Sequence, residues 1–154
     1  DGVSRLDVQT TQQMYDAVMA CVNAFDIFIA VAAVCDWRVE SVRTEKIKKN
    51  GEFVVPRFAF TENLDILAAV TRLHHPPFCV GFAAESADLE KHGREKRVLK
   101  NVPLLVGNIG PDTFGKDENE LMLFDASGVK HLPRADKRLL ARALIKEIAQ
   151  RVRD

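Results

Sequence analysis

The sequence has few cysteines, no net charge and no long apolar run, and each shortage closes off a class of protein. Its three cysteines, Cys21, Cys35 and Cys79, are odd in number, scattered and set among apolar neighbours. Neither a disulfide framework nor a zinc site fits that pattern, and the expectation is three buried thiols. Basic and acidic residues balance at 22 each, so no global field recruits nucleic acid or an anionic membrane, and any affinity for a polyanion must come from local clusters. No apolar stretch approaches the ~20 residues that span a bilayer. The N-terminus lacks the basic, apolar and small-residue order of a signal peptide. A soluble, cytoplasmic protein with no nucleic-acid or membrane partner is the simplest expectation. The chain opens at Asp1 with DGV and no initiator methionine, and is read as a piece of something longer.

Motif absences narrow the chemistry further. GNIG, ending at Gly110, is neither a dinucleotide glycine fingerprint nor a P-loop, since no lysine follows it. That argues against a Rossmann-type oxidoreductase. No G-x-S-x-G occurs, and no serine or cysteine has convincing histidine and acid partners for nucleophilic catalysis. HHPPFC offers His74, His75 and Cys79 without the spacing of a structural zinc site, so no protein metal site is expected.

What is present fits one compact α/β domain: 154 residues, 47% of them apolar, bury one core and are too few for two ordinary domains. RLDVQT reads as a short strand. Thr10 followed by Gln13 is a capping-box pattern, opening a helix whose stripe is Met14, Ala17, Val18, Cys21 and Val22. DIFIAVAAV is apolar on consecutive residues, as expected of a parallel strand covered on both faces and central in its sheet. EFVVPRFAF, with Pro56 unable to donate a ladder hydrogen bond, reads as an edge strand. A helix capped by Asn63 follows, with Ile66, Leu67, Val70 and Leu73 inward. Then come the strand FCVGFAA, a helix from Ala87 to Lys100 and the strand PLLVGN. A late hairpin turns at SG, and the closing amphipathic helix presents Leu139, Leu140, Ala143, Leu144, Ile148 and Val152. This alternation predicts a Rossmann-like three-layer α/β domain, a mostly parallel sheet with helices on both faces, whose ligands sit beyond the C-terminal ends of its strands.

On that reading Asp36, Trp37 and Arg38 lie just past a buried strand, in the ligand crevice. Lys46, Lys48 and Lys49 follow; taken alone such a run reads first as a solvated basic loop, and the alternative is a set of cations that neutralises a polyphosphate. In the later helix Lys96 and Lys100 stand at i and i+4 and point the same way. They are either surface decoration or a second cationic pair converging on the same anion. Gly93 inside that helix costs about 1 kcal/mol relative to alanine but permits close backbone approach. Glu85 ends its strand where a base, a metal ligand or a helix cap would sit.

AAVCDWR, EKIKK, ENLDIL, GFAAES and KRVLKN, in that order, resemble the motif series of the phosphopantothenoylcysteine synthetase family, close to AAVADYR, EKIKK, KNPDIL, GFAAET and a K-x-x-x-K helix. The resemblance spans about Ile27 to Asn101. Leu64 stands where the family has proline, Cys35 where it has alanine and Trp37 where it has tyrosine. The family's glycine-rich strand-turn-helix and its Asn-bearing segment have no counterpart here, so the chain resembles the later portion of one synthetase domain.

The resemblance implies a ligase of coenzyme A biosynthesis. It would bind CTP with a divalent cation, Mg by expectation, activate 4′-phosphopantothenate as an acyl-cytidylate with loss of pyrophosphate, and let the amine of cysteine displace CMP. Carried over, the nucleotide-binding residues are Ala30, Val31, Ala32, Asp36, Lys46, Leu64, Asp65, Ile66, Leu67, Phe82, Lys96 and Lys100. Lys46 has the catalytic role at the reacting phosphate, Lys96 and Lys100 hold the triphosphate, and Phe82 borders the cytidine. A homodimer is implied, with EFVVPRFAF a candidate for edge pairing, as is a flavin-dependent decarboxylase domain fused upstream. The fragment itself is expected to lack unaided ligase activity. The alternative is a nucleotide-binding or assembly module of the same fold that performs no ligation.

Overall fold

A computed structural model describes residues 2–48, 56–113 and 115–153. In order the elements are α1 (Thr11–Cys21), a 3-10 turn (Val22–Ala24), β1 (Ile27–Ala30), β2 (Trp37–Val39), β3 (Phe60–Glu62), α2 (Ile66–Thr71), β4 (Phe78–Glu85), α3 (Leu89–Leu99), β5 (Leu104–Ile109), α4 (Gly110–Thr113), β6 (Glu118–Asp125), β7 (Gly128–Asp136) and α5 (Lys137–Arg153). Five strands form one sheet in the order β1-β4-β5-β6-β7, and β2 pairs with β3 as a separate antiparallel ribbon. The sheet is mixed: β1, β4 and β5 run parallel, while β6 and β7 continue antiparallel.

Period-two alternation on the strands makes the layers. Leu104 and Val106 of β5, with Leu121 and Leu123 of β6, pack under Leu140, Leu144 and Ile148 of α5. On the other face Cys79, Ala83, Leu105 and Phe124 meet Val22, Val70 and Leu89. The three-layer arrangement expected from sequence is therefore present. In α5 the inner face is narrower than the full apolar stripe, for Leu139 and Val152 remain exposed.

Local signals account for several ends. Gln13 N donates to Thr10 Oγ1 and Thr10 N to Gln13 Oε1, both at 3.1 Å, which completes the capping box. The helix α3 stops because Asn101 adopts a left-handed conformation at φ 50°. Asn101 N then donates to Val98 O and Val102 N to Arg97 O, satisfying the last carbonyls. Gly93 lets α3 settle directly on β6, since a Cβ there would stand 2.4 Å from the Phe124 ring.

Four expectations need correction. RLDVQT is no strand, since Gly2–Gln9 belong to no element. An alternating run becomes a strand only where a partner edge exists. The strand β1 is not central: among the described residues its one neighbour is β4, and its residues are half-buried to exposed. Of the thiols only Cys79 is buried, while Cys21 and Cys35 are exposed. The cap of α2 is Asp65, whose side chain accepts from Ala68 N at 2.9 Å, rather than Asn63. Glu52–Val55 of the expected EFVVPRFAF strand, and Lys49, lie outside the described residues, while Phe60 opens β3.

Candidate functional site

A cavity of about 600 Å³ opens at the C-terminal end of β1, beside Phe82 of β4. Two loops are stitched together to form it. Asn63 N donates to Asp36 O at 2.7 Å, and Asn63 Nδ2 donates to Cys35 O at 2.9 Å. These bonds fasten the stretch after β1 to the stretch before α2. With Asn63 so committed, Asp65 caps α2 and turns its other oxygen outward, where Lys100 Nζ lies 2.5 Å from Oδ2. Burial alone would raise the Asp65 carboxyl, but the bond from Lys100, the Ala68 amide and the charge of Arg72 more than offset it and hold it below its ordinary value.

Ten of the twelve residues singled out in the sequence line this one cavity: Ala30, Val31, Ala32, Asp36, Leu64, Asp65, Ile66, Leu67, Phe82 and Lys100. Lys46 and Lys96 are not part of the wall. The first lies exposed in an irregular segment after β2. The second, one turn before Lys100 on α3, reaches Glu85 at the end of β4, with Nζ 2.6 Å from Oε1. Met14, Phe28 and Ile29 supply further apolar wall, while Trp37 and Glu62, opposite one another on the β2–β3 ribbon, close one side.

The charges of the wall decide what can enter. Among the described residues Asp36, Glu62 and Asp65 line the cavity against Lys100 as its one lining cation, and that lysine is already paired. A polyanion would meet net repulsion there unless more cations accompany it, either lysines swinging in from outside the wall or a divalent ion on the anion itself. Among the described residues no group of three histidine, cysteine or carboxylate side chains is placed to hold a metal.

A second hollow, of about 660 Å³, lies at the opposite end of the sheet beside Asp26, Phe78, Pro103 and Arg151. Its arginine and its thiol are not available for chemistry. Arg151 donates to Asp125 and Glu147, and burial pushes the Cys79 thiol up to about 11, which leaves it unreactive. The chemistry favours the first cavity.

The profile of the family described as DNA/pantothenate metabolism flavoprotein, C-terminal domain, matches residues 1–152. The chain belongs to this family. It is 40% identical over 148 residues to the coenzyme A biosynthesis bifunctional protein CoaBC of Vibrio cholerae, covering 94% of this chain and 37% of that protein. To the protein of the same name from Escherichia coli it is 42% identical over 156 residues, covering 97% and 38%. The chain thus spans little more than a third of the length of these relatives. The crystal structure of a CoaBC C-terminal domain superposes with a TM-score of 0.77 at 27% identity, covering 97% of this chain and 66% of that one.

The clamp formed by Asn63 and the pairing of Lys96 and Lys100 with carboxylates were not evident from the sequence. The clamp had a weak signal, an Asx residue directly before the motif that lines the cavity. The ion pairs had none, because Asp65 and Lys100 are 35 positions apart and only the fold brings them together.

Proposed function

We propose that this chain is part of a CTP-dependent ligase of coenzyme A biosynthesis, which joins 4′-phosphopantothenate to cysteine through an acyl-cytidylate. The single observation that carries this reading is the gathering of ten motif residues, from four separate stretches of sequence, around one cavity at the end of β1. The apolar stretches Ala30–Ala32 and Leu64–Leu67, with Phe82, hold the cytidine. Lys100 and, one turn away, Lys96 take the phosphates. Lys46 approaches from its exposed segment to the reacting α-phosphorus, where charge develops on equatorial and leaving oxygens. A divalent cation, Mg by this reading, arrives on the phosphates as part of the nucleotide and lowers the repulsion from Asp36, Glu62 and Asp65. Because the displacement needs positioning and charge rather than a protein nucleophile, the lack of a nucleophile motif is in keeping with it. The protein works in the cytoplasm as a homodimer, with a decarboxylase domain fused upstream.

Calorimetric titration with CTP, ATP and NAD in the presence of Mg tests the site. CTP binds preferentially, and Lys100→Met weakens it roughly 10–100-fold, the worth of a charged hydrogen bond. Equal affinity for all three nucleotides contradicts the reading.

A second reading, nucleotide binding without ligation, is favoured by the position of Lys46 and Lys96 outside the cavity wall. Exchanging this chain for the matching stretch of the Escherichia coli relative separates the two. Pyrophosphate release from CTP and 4′-phosphopantothenate supports the ligase, and its loss with Lys46→Ala supports the role given to that residue. A chimera that binds CTP yet releases no pyrophosphate supports the module.

A further inference from the structure

We propose that Glu85 is a positioning residue for Lys96, and that His92 replaces Lys96 as its cationic partner when Lys96 turns to phosphate, so that nucleotide binding draws a proton onto His92. The proposal rests on the nucleotide site described above. Glu85 is the last residue of β4, three positions beyond the cavity-lining Phe82, and its side chain is only 14% exposed. One oxygen stands 2.6 Å from Lys96 Nζ. That oxygen is buried, and the lysine approaches it off the hydrogen-bond directions, so it has a charge partner but no aligned donor. The other oxygen lies 3.7 Å from His92 Nδ1.

The imidazole is oriented for this role. His92 Nδ1 lies 3.1 Å from the Ala87 carbonyl, which only accepts, so Nδ1 carries a hydrogen whether the ring is neutral or charged. An added proton goes to Nε2 without breaking that bond, and the ring is 41% exposed to the solvent that supplies it.

Lys96 is the most exposed member of the three. Its side chain is 46% exposed, and Lys100, four residues on, already lines the cavity. Residues at i and i+4 share a helix face, so a polyphosphate held at Lys100 lies within the sweep of Lys96. Departure of Lys96 strips a largely buried carboxylate of its adjacent cation, a state that a neighbouring imidazolium relieves.

Among the described residues no other cation lies within 4 Å of a Glu85 oxygen. The elements packed on α3 are β4, β5 and β6. Between Phe78 and Ala84, and along Leu104–Ile109, there is no charged residue. The strand β6 turns Phe124 toward Gly93, and its Glu120 is 2.8 Å from His131. On α3 itself Lys91 and Glu95 neighbour His92 in sequence, Asp88 stands at the helix cap, and Arg94 is held by Glu90 at 2.9 Å.

The test is calorimetric titration of the chain with Mg and CTP at pH 7.5, in buffers of different ionisation enthalpy, which counts protons taken up. The wild-type chain takes up as much as about one proton more than His92→Phe, and the variant subtracts the nucleotide's own phosphate titration. Relative to that variant, wild-type affinity falls by up to about tenfold per pH unit above neutrality. Glu85→Gln abolishes the difference too, because it removes the charge that holds the imidazolium. Should a variant fail to fold, the His92 titration followed by NMR in the wild-type chain serves instead, and it moves to higher pH when CTP is added. Equal proton counts for wild type and His92→Phe, or an unmoved His92 titration in the bound state, overturn the proposal alone. Absence of binding by CTP or any other nucleotide overturns it together with the ligase reading.

Discussion

At the scale of single residues, Gly93 and Arg151 carry the sharpest consequences. Alanine is the better helix former by about 1 kcal/mol, yet a Cβ at Gly93 would sit 2.4 Å from the Phe124 ring, itself fully buried. Overpacking of that kind costs about 1–3 kcal/mol, so Gly93→Ala lowers the urea midpoint instead of raising it. Arg151 ties α5 to the hairpin, with Nη2 2.7 Å from Asp125 Oδ2 and Nη1 2.9 Å from Glu147 Oε2. For Asp125, burial raises the carboxyl, but Ser127 and Arg151 outweigh it; for Glu147, Lys130 and Arg151 act first and burial opposes them. Both therefore stand below their ordinary values of 3.8 and 4.5. Depressed carboxylates contribute fully above those ordinary values, and their contribution is lost as pH falls through the folded-state values. Thermal stability accordingly falls below about pH 4.5. Arg151→Met costs roughly 2–4 kcal/mol at pH 7, a drop of about 6–12 °C in Tm, and flattens that acid dependence.

Among elements, the decisive piece is the clamp between the segment after β1 and the segment before α2. Asn63→Ala removes the bond to Cys35 O, at a cost of about 1 kcal/mol to stability. It also frees one wall of the cavity, so CTP affinity falls about fivefold while Tm moves by only a few degrees. Unchanged affinity in a folded Asn63→Ala chain contradicts the clamp. The elements also show what a sequence can carry. The capping box at Thr10, the SG turn between β6 and β7 and the stop of α3 at Asn101 are written in neighbouring residues, and were readable or nearly so. Strand order is not local. The apolar run after Asp26 looks like a central strand in sequence, but it pairs with β4 alone among the described residues, and its hydrophobicity serves the cavity as much as the core. The misplaced cap of α2 has the same origin, because Asn63 and Asp65 are equally good caps until a contact 28 residues back claims the first.

For the molecule as a whole, the motifs predicted a shared rim, and ten of their residues do line one cavity. Their spacing did not reveal that two of the three lysines are neutralised by carboxylates, since such pairs exist only after folding. On the proposed reading, binding therefore exchanges carboxylate partners for phosphate. Salt consequently weakens CTP less than a count of three free lysines implies, and titrations between 50 and 300 mM salt measure that slope. The most direct measurement is a crystal structure of the chain with CTP and Mg. The account predicts the cytidine against Ala30–Ala32, Leu64–Leu67 and Phe82, with phosphate oxygens on Lys100 and Lys96 and Glu85 released to His92. A nucleotide bound in the hollow beside Arg151, or bound with Lys96 and Lys100 still on their carboxylates, contradicts it.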